Sequence, residues 1–149
     1  MFSPLPVHEE PETVRLRTWV QLARTYYRME QTIAACLASQ GLTLAQFDVL
    51  ASLHYCQGVT QKELAETLLV TKGNVVGLLD RLTRLQWVER RPDPNDGRSN
   101  RVHLTESGRR KIESVLPLHD QLVLRALACL EHNQVVSLRA SLSRLEQSV

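Results

Sequence analysis

The sequence predicts a mainly α-helical protein that carries one small β-hairpin. Aromatic residues make up only 5% of the 149 residues, and glycine and proline number six each, a composition that favours helices over an all-β sandwich. Apolar residues recur at helical spacing through most of the chain. One stretch after the middle alternates polar and apolar residues beside a turn-rich segment, as a hairpin does.

The chain begins with a predicted arm and a long helix. Residues 1–11 contain three prolines and no apolar periodicity, so we expect an arm that is disordered or packed on a partner. A helix is predicted from about Glu12 to Gly41. Its apolar residues follow spacings of three and four, which place them on one stripe: Trp19, Leu22, Tyr26, Met29, Ile33 and Leu37. So long a stripe indicates packing against something beyond the chain's own core.

Three helices are predicted next, each with a start signal. Thr43 with Gln46 and Thr60 with Glu63 have the form of capping boxes, in which the two side chains satisfy free backbone N–H groups at a helix start. A further helix is predicted from Thr71, its expected N-cap. Its inward stripe consists of Val75, Leu78, Leu79 and Leu82.

A hairpin follows the helix that begins at Thr71. Residues 87–91 and 100–104 are predicted as its strands, joined by the turn-rich residues 92–97. Two short helices at a tight turn, followed by a hairpin, form the winged helix-turn-helix arrangement, whose second helix enters the DNA major groove. The sequence therefore predicts a winged helix-turn-helix at residues 42–105.

Two helices are predicted after the hairpin. Thr105 is a candidate N-cap, and the chain is predicted to be helical to about Glu131, with Pro117 kinking or loosening one turn. The apolar residues of the final helix again follow spacings of three and four: Val135, Leu138, Leu142 and Leu145.

Charge is unevenly distributed along the chain. Between residues 60 and 111, eleven Lys and Arg accompany seven Asp and Glu, a net of +4, whereas the remainder has seven basic and nine acidic residues. A basic middle between acidic ends is the pattern expected for binding a polyanion. An ordinary solvated surface also carries such a charge, so charge alone leaves both interpretations open.

The start of the second helix and the hairpin tip carry the residues best suited to bind DNA. Lys72 and Asn74 are candidate base contacts, because polar side chains beside free N–H groups at a helix start approach base edges and phosphates closely. We expect Asp96 to orient Arg98 for a narrow minor groove, whose negative potential favours a guanidinium. The predicted DNA-binding residues are Gln61, Lys62, Thr71, Lys72, Gly73, Asn74, Val75, Arg81, Arg84, Arg91, Asp96, Arg98 and Ser99.

Five short segments between Leu42 and about Lys111 form a recognisable pattern: Glu63-Leu64-Ala65, Val70-Thr71-Lys72-Gly73-Asn74-Val75, Leu79-Asp80-Arg81-Leu82, Asp96-Gly97-Arg98-Ser99 and Val102-His103-Leu104-Thr105. Through these segments the sequence resembles the MarR family of bacterial transcription regulators. One departure is Gln86, where the family usually has a glycine that ends the recognition helix in a left-handed conformation; glutamine there is expected to cost about 1 kcal/mol.

The resemblance implies a homodimer that binds double-stranded DNA and more often represses than activates. In a symmetric dimer the two recognition helices lie about one DNA turn apart, roughly 34 Å, which predicts a pseudo-palindromic operator. Residues 12–40 and 106–149 are then dimerisation helices, and residues 42–105 bind DNA. We expect the stripes at residues 19–37 and 135–145 to pack across the dimer axis.

The resemblance also implies a small aromatic or anionic effector, bound between the DNA-binding domain and the dimer helices. A ligand that prefers a form with misaligned recognition helices weakens DNA binding by population shift. Large aromatic and polar side chains on helices more often belong to an ordinary core, but they also line ligand pockets, which are mostly apolar with a few polar groups. The candidates are Trp19, Tyr26, Tyr27, Phe47 and His54.

The sequence predicts no cofactor, metal site or enzymatic activity. No nucleophile-elbow, phosphate-loop or metalloprotease motif occurs, and the five histidines show no metal-ligand spacing. The three cysteines, Cys36, Cys56 and Cys129, contain no CxxC pair, so each is expected to be a buried small hydrophobe. Relatives that sense peroxide carry a cysteine near the start of the first helix, whereas Cys36 is near its end, so no redox switch is expected.

Two expectations concern location and the class of partner. The chain has no apolar run long enough to span a membrane and no signal-peptide pattern at its start, so we expect a cytoplasmic protein without a membrane partner. The alternative to DNA binding is a protein-interaction module that kept the winged fold. Lys72 and Arg98 favour DNA, because such a module does not need an Asp-oriented arginine at its tip.

Overall fold

The computed structural model describes residues 10–68, 72–96 and 98–148, with the side chain of residue 72 left out. Most of the predicted arm, Thr71 and Gly97 lie outside the described residues. The elements in chain order are α1 (Pro11–Ser39), α2 (Leu44–Tyr55), β1 (Val59–Thr60), α3 (Gln61–Thr67), α4 (Lys72–Arg84), β2 (Val88–Pro92), β3 (Asn100–Leu104), α5 (Glu106–Leu127) and α6 (His132–Glu146). The mainly helical fold with a small β-hairpin is confirmed.

Both predicted capping boxes are confirmed. The backbone N–H of Thr43 donates to Gln46 Oε1 at 2.9 Å, and the N–H of Gln46 donates to Thr43 Oγ1 at 3.2 Å. Thr60 and Glu63 make the same reciprocal pair at 2.7 and 3.2 Å. These boxes fix where α2 and α3 begin, and therefore where the helix-turn-helix lies in the chain.

The core lies beneath α4 and the sheet, where α2, α3 and the first turns of α5 meet. α1 packs on α5 and α2, and α3 packs on α4. The inward stripe predicted for α4 is confirmed for its fully buried members, whereas Leu78 is only half-buried. The largest fully buried side chains are Leu37, Leu50, Leu53, Leu64, Leu79, Leu82, Ile112, Val49, Val75, Val88, Val102 and Val115.

The strands form one antiparallel sheet in the order β1-β3-β2. β3 has the predicted bounds, and β2 is shifted by one residue from the predicted 87–91. β1 was not predicted, because two residues carry no periodicity. Val59 pairs with Val102, so this strand exists only through a partner distant in sequence. We refer to β2, β3 and the residues between them as the wing.

The residue that departs from the family pattern does adopt the left-handed conformation. Gln86 has φ 58°. Its N–H donates to the carbonyl of Thr83 at 2.9 Å, and the N–H of Trp87 donates to the carbonyl of Leu82 at 3.0 Å. This is a Schellman motif with glutamine in the position that glycine usually fills.

Replacing Gln86 with glycine is expected to raise the free energy of unfolding by up to about 1 kcal/mol, because glycine adopts this φ without a Cβ penalty. Gln86→Ala retains the penalty and serves as the control. Urea denaturation of the three proteins measures the difference. Equal stability of the glycine variant and the parent would show that Gln86 is unstrained.

The last two helices differ in how they are covered. The predicted N-cap of α5 is confirmed, since Gly108 N–H donates to Thr105 Oγ1 at 3.0 Å. α5 continues through Pro117 and ends at Leu127, earlier than the predicted Glu131. α6 has no buried residue, and its exposed apolar residues include Val136, Leu138, Leu142 and Leu145.

The apolar stripe of α1 is divided between the core and the surface. Leu37 is buried and Ile33 packs against the core, whereas Trp19 and Tyr26 are 66% and 64% exposed. Along its first turns the helix therefore has large apolar side chains that this chain does not cover.

The prediction that all three cysteines are buried is wrong, because none of them is fully buried. Cys56 and Cys129 are exposed, and Cys36 is partly exposed. Cys56 directly follows α2, and Cys129 lies in the turn between α5 and α6. Both positions follow the last helical residue, so neither continues the inward face of its helix.

Candidate DNA-binding surface

One groove joins the start of α3, one flank of α4 and the wing tip. Four predicted DNA-binding residues line it: Gln61, Lys62, Arg98 and Ser99. The remaining lining residues are Thr60, Val76 and Asn100. Residues separated by nearly forty positions in the sequence thus form one surface with two basic side chains, as a phosphate-binding surface requires.

The recognition-helix candidates divide into exposed and buried residues. Gly73, Asn74, Arg81 and Arg84 are exposed, so none of them belongs to the core. Val75 requires a correction, because its side chain is 0% exposed and belongs to the core. It cannot reach DNA unless the helix unpacks. Thr71 and the Lys72 side chain lie outside the part that the structure describes.

A second cavity, of about 410 Å³, lies on the other side of α4, between this helix and α2. Asn74 and Arg81 line it together with Asp48. Burial raises the pKa of the Asp48 carboxyl, and this effect outweighs the attraction of His119. Because they line this cavity, Asn74 and Arg81 lie on a different side of α4 from the groove that holds Lys62 and Arg98.

The wing tip is organised by backbone contacts. Asp96 Oδ1 accepts the backbone N–H of Arg98 at 3.0 Å, and the Asp96 carbonyl accepts the N–H of Ser99 at 2.9 Å. We predicted that Asp96 orients Arg98, and the structure shows this for the main chain. The Arg98 side chain is exposed, so its guanidinium can extend toward a groove of DNA.

An ion pair at the base of the tip was missed by sequence reasoning. Arg101 Nε lies 2.9 Å from Oδ2 of Asp93, which is a nearly fully buried carboxylate. Arg101 Nη1 also donates to the Gly58 carbonyl at 2.7 Å. The guanidinium therefore connects the wing to the loop between α2 and β1. Only the register of the two strands could have indicated this pair.

Two other arginines of the wing are also paired with acids. Arg90 Nη2 lies 2.7 Å from Oδ1 of Asp80 on α4. This ion pair connects the wing to α4, the helix predicted to enter the major groove. Arg91 Nε donates to Glu89 Oε1 at 2.9 Å. The second pair is exposed and therefore weak, so Arg91 remains available to a phosphate.

Two acids at the start of α3 have different partners: Glu63 caps the helix, and Glu66 pairs with Lys62. The hydrogen bond from the Thr60 backbone N–H holds the pKa of the Glu63 carboxyl below its usual value. Lys62 Nζ is 3.8 Å from Glu66 Oε1, and both side chains are exposed. The weak exposed pair leaves Lys62 able to exchange its partner for a phosphate.

The predicted effector residues are not brought together within the single chain. Trp19, Tyr26 and Tyr27 are exposed on α1, whereas Phe47 is buried and its ring lies 4.7 Å from that of His119. His54 is half-buried, and its Nδ1, 4.0 Å from Glu113 Oε1, has no hydrogen-bond partner among the described residues. A pocket for these five residues stays a prediction that needs more than one chain.

Two searches concern other kinds of site. Residues 10–68, 72–96 and 98–148 contain no group of three or more His, Cys, Asp or Glu placed to hold a metal ion. No single described helix is long and apolar enough to cross a membrane, although α1 and α2 together, bent by 84°, pass that test of length and composition.

The structure has the parts of a winged helix-turn-helix DNA-binding protein. α3 and α4 form the helix pair, α4 carries exposed polar residues, and the wing has an arginine at its tip. A sequence model of the MarR family matches residues 40–99. Wild-type MarR of Escherichia coli is 30% identical to this chain, and its crystal structure superposes with a TM-score of 0.72, covering 84% of this chain and 93% of the other. The chain belongs to the MarR family of transcriptional regulators. It is accordingly a DNA-binding transcription regulator and not an enzyme.

Known proteins support this assignment along most of the chain. An uncharacterized HTH-type transcriptional regulator of Bacillus cereus is 34% identical over 105 residues, which cover 70% of this chain and 69% of that protein. The multiple antibiotic resistance protein MarR of Escherichia coli is 43% identical over 72 residues, 48% of this chain and 50% of that protein. A crystal structure of a mutant E. coli MarR complexed with operator DNA superposes with a TM-score of 0.81 and 27% identity, covering 92% of this chain and 99% of the other.

Proposed function

We propose that the protein is a homodimeric, cytoplasmic repressor that binds a pseudo-palindromic operator. The groove lined by Lys62, Val76 and Arg98 carries this proposal, because it places the helix-turn-helix and the wing tip on one basic surface. The related MarR crystallised with operator DNA supports the same use of the fold. Repression follows where an operator overlaps a promoter.

The uncovered apolar faces support the dimer. Trp19 and Tyr26 on α1 are exposed in the single chain, as are Val136, Leu138, Leu142 and Leu145 on α6. Exposed apolar area of this extent on two terminal helices is typical of an interface between protomers. Sedimentation at micromolar concentration is expected to give twice the chain mass of 17.0 kDa. A folded monomer would contradict the dimer.

Sequence-specific binding is tested by fluorescence anisotropy on the duplex upstream of the protein's own gene, with a scrambled duplex as control. We expect a preference of about a thousandfold or more at physiological salt, the range of specific regulators. Affinity for both duplexes should fall with added salt, because phosphate contacts release counterions. Equal and weak affinity for both duplexes would contradict a specific operator there.

Asn74 and Lys62 are expected to differ in their effect on specificity. Asn74→Ala should relax sequence preference, because Asn74 is exposed on α4, where side chains meet base edges. Lys62→Ala should weaken binding to all DNA sequences alike. It should also reduce the slope of the logarithm of the binding constant against the logarithm of the salt concentration by about one, as the loss of one phosphate contact does. Anisotropy on preferred and random duplexes measures both effects, and an equal loss for both variants on random DNA would refute these roles.

We also propose release by a small aromatic or anionic effector. A ligand that binds only the form with misaligned recognition helices weakens DNA binding by its differential affinity. Trp19 and Tyr26 lie on the face that we assign to the dimer, and Tyr27 lies about 100° around the helix from Tyr26, so a pocket that uses all three would be completed by the second protomer. Titration of the DNA complex with a panel of aromatic acids tests this. If every acid leaves the affinity unchanged, this class of effector is wrong.

A further inference from the structure

We infer that Val76 is a specificity-determining residue that contacts the 5-methyl group of a thymine in the major groove. The inference rests on the proposed function, because it names one contact within sequence-specific DNA binding. It concerns a residue that sequence reasoning passed over in favour of its neighbour Val75.

Val76 is apolar but lies outside the core. Its side chain is 42% exposed, whereas Val75 is fully buried. At about 100° per residue, the buried stripe of Val75, Leu79 and Leu82 occupies one side of α4, and Val76 projects away from it. Val76 is therefore not part of the buried stripe, and about two fifths of its surface is available to a ligand.

The position of Val76 places it on the DNA-binding surface. It lines the groove that also holds Lys62 and Arg98. These two basic residues bind phosphate or a narrow minor groove in the proposed complex, so we expect a side chain that lines the same groove to face the duplex. Among the described residues that line this groove, Val76 is the one apolar side chain.

Two glycines leave uncovered the side of α4 that lies opposite the buried stripe, and both also line the second cavity beside Asn74. Gly73 and Gly77 lie opposite the buried stripe, and a Cβ added to either meets nothing within 4 Å. Packing does not require glycine at these positions, and each costs helix stability. Their absence of side chains leaves a bare ridge that a base pair can approach closely, with Val76 projecting from one flank and Asn74 from the other.

The chemistry of the groove selects thymine. Val76 has no hydrogen-bonding group, so it cannot match the donors and acceptors that distinguish most base edges. The thymine 5-methyl group is the apolar feature of the major groove, and apolar side chains recognise thymine through it. In a symmetric dimer this contact occurs once in each half-site.

The test removes the methyl group and the side chain separately. A preferred duplex is selected from a random pool, and each thymine is replaced in turn by deoxyuridine, which lacks only the methyl group. For the parent protein we expect one position per half-site where this weakens binding about fourfold, and on the order of fifteenfold when both half-sites are changed. Val76→Ala is present in both protomers, so it should weaken binding to the thymine duplex by a factor similar to that for both half-sites. Deoxyuridine at the contacted position should then no longer weaken binding, whereas sensitivity at other positions should remain.

Two control variants separate this contact from general effects. Leu85→Ala removes a side chain of similar exposure, 45%, just beyond the other end of α4, and should leave affinity and methyl sensitivity unchanged. Asn74→Ala should relax preference elsewhere in the site but keep the methyl sensitivity. Circular dichroism confirms that each variant is folded.

The outcomes distinguish the inference from the proposed function. If a duplex is selected but Val76→Ala binds it as the parent does, or keeps its sensitivity at every thymine, the inference is overturned and specific binding stands. A selected half-site whose thymine methyl groups can all be removed without loss overturns it equally. If no duplex is enriched from the pool, the proposed function and the inference fail together.

Discussion

Replacing Arg98 with alanine is expected to weaken operator binding by about thirtyfold or more while leaving the dimer intact. Arg98 is exposed at the wing tip, where Asp96 fixes its backbone, so the guanidinium is available to DNA. A specific arginine contact is worth about 1–3 kcal/mol, and a dimer loses two of them. Anisotropy measures the affinity, and sedimentation measures the dimer.

The stability of this variant should match that of the parent, because an exposed side chain contributes little to folding. Arg98→Lys keeps the charge but is more strongly hydrated than a guanidinium, so it should recover only part of the affinity. Arg110→Ala, which removes an exposed arginine paired with Glu106 on α5, is the matched control. Unchanged affinity of Arg98→Ala would remove the wing from the mechanism.

Replacing Gly108 with alanine is expected to destabilise the protein by about 3 kcal/mol or more, at the severe end for point mutations. An added Cβ would lie 1.9 Å from the carbonyl oxygen of Trp87 and 2.7 Å from its carbon. That carbonyl cannot easily move, because it accepts the N–H of Thr105 at 3.1 Å. The clash is between backbone atoms, so no side-chain rotation relieves it.

Gly77→Ala is the matched control for this substitution. It makes the same chemical change within a helix, but the new Cβ meets nothing within 4 Å, so it should stabilise by up to about 1 kcal/mol. Urea denaturation of both variants is expected to give shifts of opposite sign. A Gly108→Ala variant as stable as the parent would contradict this prediction and show that the backbone at the junction between the wing and α5 shifts at little energetic cost.

The predicted effect of Gly108→Ala reflects how closely this junction is built. The Thr105 hydroxyl donates to the Gln86 carbonyl at 2.5 Å and accepts the N–H of Gly108. Lys111 Nζ lies 5.5 Å from the Trp87 ring centre and donates to the Gln40 carbonyl at 2.5 Å. The end of the recognition helix, the wing and two of the proposed dimer helices are thus connected within a few residues.

Features with a local chemical cause could be predicted from the sequence. The capping boxes at Thr43 and Thr60 and the N-cap at Thr105 depend on residues three positions apart, so the sequence contains both partners. The left-handed Gln86 followed from the family pattern. β1 could not be predicted, because its two residues become a strand only by pairing with Val102.

The candidate site was predicted in outline but not in its supporting contacts. Lys62 and Arg98 do share one groove, whereas Val75 proved to be core and Val76 exposed. One residue along a helix rotates a side chain by about 100°, so a small error in phase exchanges the two valines. The pairing of Asp93 with Arg101 depends on the strand register, which no short motif specifies.

Selection of bound duplexes from a random pool tests the central claim most directly. The protein is expected to enrich an inverted repeat whose half-site centres lie about one helical turn, roughly 34 Å, apart, since a symmetric dimer presents two recognition helices at that spacing. A pool that remains random after repeated rounds would contradict sequence-specific binding and favour the winged fold as a surface for a protein partner.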